Sequence, residues 1–227
     1  MPAGASWRCS GPRAEVTADT VTFRPAAPAD VEAAVPLIYS SGPGAFDYVF
    51  AASRPGRALD FLRYAFAQGG GEFGWRNHVA ALAEGRVVGI GAGWDSSTAL
   101  RFLLAAARQI FGFYGPVAAW GVILRGLEVE SVIRPPKAGE FYIGHLGIDP
   151  ALRSRGIGAR LVAHLLTLAA RPRCRIAVLD VAAGNPRAQA LYQRLGFAET
   201  AARVSRLGNR DGKVDDHHRM ARGIADG

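Results

Sequence analysis

HLGIDPALRSRGIGARL, residues 145–161, passes from an apolar run through Asp-Pro and three arginines among glycines into a second apolar run. Glu140 to Ile148 has strand chemistry, and Asp149-Pro150 stops it. Ile157, Leu161, Leu165 and Leu168 recur at helical spacing and predict a helix starting near Gly156. Between strand and helix lies Arg153-Ser-Arg-Gly-Ile-Gly158. At such a junction the first helical N–H groups lack intrahelical partners, and the helix dipole adds positive potential. Gly156 and Gly158 let an anion approach the backbone, and Arg153 and Arg155 add charge-assisted contacts. Taken alone, the loop divides evenly between an exposed turn and an anion cradle. The P-loop pattern GxxxxGK[ST] is absent, and the dinucleotide fingerprint GxGxxG fails because Leu161 occupies the third glycine position.

The surrounding chain has matching punctuation. Val21-Thr-Phe-Arg-Pro25 reads as a strand, and Asp30 as the N-cap of a helix through Val31, Val35, Leu37 and Ile38. A second helix, about Ala58 to Gln68, ends in Gly69-Gly70-Gly71. His78 to Ala83 and Arg86 to Gly91 read as a hairpin turned at Glu84-Gly85. Residues 95–139 look like an insertion: helical spacing from Thr98 to Gln109, a broken apolar segment IFGFYGPVAAWGVIL, then the extended linker Arg134-Pro-Pro-Lys137. Arg175 to Val181 is a buried type of strand. Asn185 at an N-cap, Pro186 at the first helical position and Gly196 just past the end delimit another helix. Phe197 onward and Asp215 to Ile224 supply two last strands around an Asn209–Gly212 turn. The order describes one α/β domain with a mixed central sheet flanked by helices, over residues 21–227, with a helical apolar insertion.

The 227 residues, 49% hydrophobic, suffice for one large domain. Cys9 and Cys174 belong to no metal-binding or redox motif, so no metal is expected. Residues 1–20 lack the apolar core of a signal peptide and read as a loose tail. The longest uncharged run, Gln109 to Leu124, falls short of the roughly 20 residues a spanning helix needs. The expectation is a cytoplasmic protein without a membrane partner. The formal charge of +8 favours an anionic partner, yet its arginines are dispersed and no nucleic-acid-binding motif accompanies them, so no nucleic acid is expected.

Arg153-Ser-Arg-Gly-Ile-Gly158, preceded by hydrophobic-x-hydrophobic-Asp-Pro, resembles the [QR]xxGx[GA] loop of the GCN5-related N-acetyltransferase (GNAT) family. Asn185-Pro-Arg-Ala-Gln-Ala-Leu-Tyr-Gln-Arg-Leu-Gly-Phe197 is similar to the family's Asn-x-x-Ala-x-x-x-Tyr-x-x-x-Gly-Phe helix. Both occur in order, about thirty residues apart. The resemblance is close over 140–205 and loose over 21–94. It implies a GNAT-like fold, acetyl-coenzyme A as cosubstrate and direct transfer of its acetyl group to an amine of a small molecule or peptide. It further implies that Arg153, Ser154, Arg155, Gly156, Ile157, Gly158 and Ala159 cradle the pyrophosphate. Leu146 and Ile148 would pair by their main chain with the pantetheine arm, and an N–H near Leu146 would stabilise the oxyanion. Gly144 and Gly147 suit a bulge and close ligand approach. Tyr192 corresponds to the tyrosine that protonates the departing thiolate, and Asn185 is both N-cap and candidate cofactor contact.

The general base stays open among His145, Asp180 and a chain of water molecules. So does the insertion, which reads as a lid over the acceptor, an extra core layer or a homodimer interface; a membrane-surface segment lacks a regular basic face. The rival to an enzyme is a non-catalytic acyl-coenzyme A-binding regulatory module.

Overall fold

The computed structural model describes residues 20–54, 56–169 and 173–224. The expected tail, apart from Thr20, and Cys9 lie outside them. The elements run β1 (Thr22–Pro25), α1 (Val31–Tyr39), α2 (Pro43–Phe50), α3 (Arg57–Gln68), β2 (His78–Ala83), β3 (Arg86–Asp95) and α4 (Ala99–Val129). β4 (Glu140–Ile148), α5 (Ile157–Ala169), β5 (Ile176–Ala182), α6 (Pro186–Arg194), β6 (Ala198–Arg203) and β7 (His217–Gly223) follow. They build a mixed seven-stranded sheet in the order β1-β2-β3-β4-β5-β7-β6. The β4–β5 pair is parallel, as the crossover through α5 requires, and the other pairs are antiparallel.

Side-chain alternation along the strands feeds two cores. Ala80 and Ile90 face α1 to α4 with Phe61, Leu62 and Phe66. Val79, Ile143 and Leu179 face α5 and α6 with Leu161, Leu165 and Tyr192. Ile157, Leu161 and Leu165 are fully buried as their spacing predicts, whereas Leu168 is 41% exposed and Ala169 closes the helix face instead. Glu84 and Gly85 both have positive φ, as a tight hairpin turn of this hand needs.

Three local readings change. α2 is an additional helix, with Pro43 in its first turn and Phe46, Val49 and Phe50 at helical spacing on its buried side. Asp30 does not cap α1 with its side chain; its carboxylate holds Arg24 at 2.7 and 2.8 Å and accepts from the Ala27 N–H. The insertion is a single kinked helix. Only Gly115 leaves helical φ/ψ, and the helix resumes at Pro116, whose missing N–H costs nothing in a first turn. Ser96–Val129 is therefore long and apolar enough to cross a bilayer by length and composition, and only 17% of its most apolar stretch is buried in the protein. Ile110, Ala119 and Val122 pack on α2 and α3, and Tyr114 and Arg125 bond the carbonyls of Phe50 and Val49. Leu100, Leu103, Leu104, Trp120 and Leu124 face outward.

Candidate active site

β4 and β5 pair only at Glu140↔Ile176, Phe141↔Ala177 and Tyr142↔Val178, although β4 continues to Ile148 and β5 to Ala182. Beyond Tyr142 the strands part. The cause is visible on the other edge of β4. Its register with β3 steps from Ala92↔Gly144 to Ile90↔Gly147, so His145 and Leu146 together oppose Gly91. This is a bulge, and His145 adopts φ +55° within it. A bulge bends and twists its strand, which turns the second half of β4 away from β5.

The two glycines flanking the bulge serve the protein's own packing. A Cβ on Gly147 would lie 2.2 Å from the Leu37 carbonyl oxygen, so α1 sits directly on β4 there. A Cβ on Gly144 would meet Trp94 at 2.9 Å and Tyr142 at 3.0 Å. Contact with neighbouring protein atoms already accounts for the missing side chain at both positions.

The loop after β4 makes two tight turns before α5. Asp149 accepts from the Ala151 N–H at 2.9 Å and closes a single 3-10 turn over Pro150–Leu152. Ser154 has φ +65° and Gly156 φ +81°, turning the backbone toward the start of α5. Arg153, Ser154, Arg155 and Gly156 are exposed, while Ile157 anchors the helix in the core. The Arg153 Nε donates to the Ile148 carbonyl at 3.2 Å. Arg187 at the start of α6 donates to Ser154 Oγ at 2.6 Å. The loop thus joins the N-terminal ends of α5 and α6. Asn185 caps α6, its Oδ1 accepting from the Ala188 N–H at 3.0 Å.

Tyr192, one helical face further along α6, is 8% exposed and packs edge-on against Phe197. Burial pushes its phenol up to about 12, so it keeps its proton throughout the neutral range.

The two candidate bases have opposite surroundings. The Asp180 side chain is 1% exposed and ion-paired to Arg219 at 2.9 Å and Arg203 at 3.5 Å. Arg219 also holds Glu140 at 2.8 Å and the Arg134 carbonyl at 2.8 Å. Burial lifts the Asp180 carboxyl above its ordinary value while the two arginines pull it down. His145 stands in an aromatic layer of Phe73, Trp94 and His78, with ring centroids 5.2 to 5.5 Å away. Its Nε2 lies 3.3 Å from Glu72 Oε1 and its Nδ1 3.2 Å from His78 Nε2. The sequence does not mark Glu72 or His78 as site residues, because they meet His145 across 73 and 67 residues of chain. A cavity of about 430 Å³ shares His78 and Trp94 with this layer and is also lined by Arg76, Asp95 and Arg101. Among the described residues no group of three or more His, Cys, Asp or Glu is arranged to hold a metal ion.

The family model described as "Acetyltransferase (GNAT) family" matches residues 48–197, more than half of the chain. The chain belongs to the GNAT acetyltransferase family. Over 64 residues, 28% of its length, it is 39% identical to N-alpha-acetyltransferase RimI of Mycobacterium tuberculosis, and the match spans 39% of that relative. Among solved structures, an acetyltransferase superposes over 90% of this chain and 100% of its own, with TM-score 0.63 and 18% identity. An N-acetyltransferase from Staphylococcus aureus Mu50 covers 88% of this chain and 100% of its own, with TM-score 0.63 and 16% identity. A phosphinothricin acetyltransferase from Sinorhizobium meliloti, solved in complex with AcCoA, covers 92% and 90% with TM-score 0.53 and 19% identity. At these identities the likeness is one of fold, and it bears out the mixed sheet flanked by helices.

Proposed function

We propose that this GNAT protein catalyses transfer of the acetyl group of acetyl-coenzyme A to a primary amine of a small molecule or peptide. The observation that carries the reading is the parting of β4 from β5 directly above the exposed 153–156 loop. That geometry leaves main-chain groups on the β5 side of β4 without a partner strand among the described residues, close to the N-terminus of α5. The residues fit the cosubstrate: Gly156 at φ +81° and exposed Arg153 and Arg155 suit a pyrophosphate. The main chain of Leu146 to Ile148 suits the amide-bearing arm. Bound acetyl-coenzyme A supplies the acetyl group as an activated thioester.

In this reading the protein's own groups divide the proton traffic. An amine with a Lys-like pKa near ~10.4 arrives protonated and must lose a proton before it attacks. His145 accepts that proton, since its ring touches the half-exposed Glu72, whereas the Asp180 carboxylate is held by two arginines. Tyr192 keeps its phenolic proton for the departing thiolate, which a phenol can protonate. An N–H near Leu146 stabilises the developing oxyanion.

The test is thiol release from acetyl-coenzyme A across a panel of small primary amines and peptide N-termini. Turnover with at least one amine is expected. Acetyl-coenzyme A should also raise the melting temperature, and Gly156→Glu, which sets a carboxylate in the cradle and strains a positive φ, should abolish that rise. No thermal shift at millimolar acetyl-coenzyme A would overturn the reading. Cofactor binding with no turnover, and a Tyr192→Phe variant unchanged in every assay, would favour the non-catalytic acyl-coenzyme A-binding module instead.

A further inference from the structure

The contacts around His145 decide which of its two ring nitrogens can work as a base. His78 lies at the start of β2, 2% exposed, and its Nδ1 is 2.9 Å from the Gly74 carbonyl oxygen. A carbonyl oxygen only accepts, so His78 Nδ1 carries the hydrogen. The ring is enclosed by Phe66 and His145 with no carboxylate against it, and burial pushes its pKa down to about 3. His78 is therefore neutral and its Nε2 holds a lone pair. His145 Nδ1, 3.2 Å from that lone pair, must be the donor. In neutral His145 the remaining lone pair then sits on Nε2, and a proton taken up there turns the 3.3 Å contact with Glu72 Oε1 into an N–H donated to the carboxylate.

We infer that His78 is a positioning residue that fixes the tautomer of His145, so that Nε2 is the proton acceptor of the site and Glu72 its outlet to water. The inference rests on the reading of His145 as the base and adds two residues that nothing else assigns. The proton balance is simple. An N–H bond of the incoming ammonium breaks and an Nε2–H bond forms. The resulting imidazolium donates Nδ1–H to His78 and Nε2–H to Glu72, and Glu72, whose side chain is 41% exposed, releases the proton to solvent. Among the described residues, the charged groups bearing on this relay can be named. Besides Glu72 and the neutral His78 there is Glu130 beyond the end of α4, whose carboxyl is raised first by partial burial and then by the nearby charge of Glu72.

The decisive measurement needs no acceptor. Long-range ¹H–¹⁵N spectra of the full-length chain labelled with ¹⁵N-histidine, assigned with single-histidine variants, report the tautomer of each neutral ring. Both His78 and His145 should carry their hydrogen on Nδ1, and an Nε2–H tautomer on His145 would overturn the inference. Kinetics supply a second arm, with acetyl-coenzyme A and whichever amine of the panel the wild type acetylates. His78→Gln keeps an acceptor oxygen near the place of Nε2 and should hold kcat within about threefold with an unchanged acid limb of the pH profile. His78→Met removes that acceptor, and kcat should fall about tenfold or more, up to the ~10²–10⁴-fold that a whole general base contributes, with KM for acetyl-coenzyme A unchanged. Equal losses in the Gln and Met variants would mean that His78 is only packing, and would overturn the inference. If the wild type acetylates no amine, the functional reading falls, while the tautomer spectra still decide this one.

Discussion

Asp180 and His145 occupy the two sides of the point where β4 leaves β5, and both are titratable groups aimed into the middle of the fold. Their surroundings differ in kind. Asp180 is an ion in a closed hub: Arg219 reaches Asp180, Glu140 and the Arg134 carbonyl at once, and Arg203 adds a second cation. His145 stands in a stack of rings with one neutral histidine behind it and one half-exposed glutamate in front. The hub ties β5 to β7 and to the root of β4 with charges that have nowhere to go. The bulge beside it presents a group whose proton can leave. A strand position that suits a base in sequence is thus spent on architecture, and the proposed reading gives the chemistry to a residue held in an unusual backbone conformation.

The sharpest way to break this contrast is to remove the hub's anion. Asp180→Ala leaves Arg219 and Arg203 short of a buried partner and should cost about 3–5 kcal/mol in chemical denaturation. The shape-conserving Asp180→Asn should keep kcat/KM within about threefold at a temperature where it is folded. Normal stability with a hundredfold loss of turnover would exchange the roles of Asp180 and His145. Next in size, His145→Gln should lower kcat/KM about a hundredfold, equivalent to roughly 2.7 kcal/mol of barrier, with the melting temperature rise on adding acetyl-coenzyme A retained. Loss of that rise would make His145 a cofactor-site residue.

A further effect, spread over several pH units, is in the pH dependence of stability. The folded pKa of His78, about 3, lies below its ordinary 6.5. Between those values the unfolded chain binds a proton that the folded chain refuses. The contribution of His78 is therefore whole above pH 6.5 and is lost as pH falls toward 3, with a slope of at most about 1.4 kcal/mol per pH unit. Urea titrations from pH 7 to 4 should show a flatter decline for His78→Gln than for the wild type. Parallel curves would mean that His78 is not held neutral.

What could be read in the sequence was whatever chemistry is local. Asn185, Pro186 and Gly196 bracket α6 within a dozen residues, and the Arg153–Gly158 loop carries both the glycine its backbone needs and the helix it opens. The bulge was half visible: its flanking glycines are in place, but the residue with positive φ is His145, which no local rule selects, and the glycines turned out to make room for Leu37, Trp94 and Tyr142. Glu72 and His78 were invisible because their meaning is a contact across the sheet and an aromatic layer, not a spacing. Residues 109–124 misled through Gly115 and Pro116, which signal a break; one non-helical residue followed by a proline in a first turn costs a kink and nothing more. Asp30 misled because a better partner, Arg24, competes for its carboxylate.

The contact between Gly147 and the Leu37 carbonyl has a consequence for rebuilding this protein. With 2.2 Å between that oxygen and the place a Cβ would take, the last turn of α1 and the second half of β4 form one inheritable unit. A chimera that takes its first helix from a relative must take the matching stretch of β4 with it, or accept a shifted strand beside His145. Swaps that cut within α4 carry a different obligation, to keep the bonds of Tyr114 and Arg125 to the carbonyls of Phe50 and Val49.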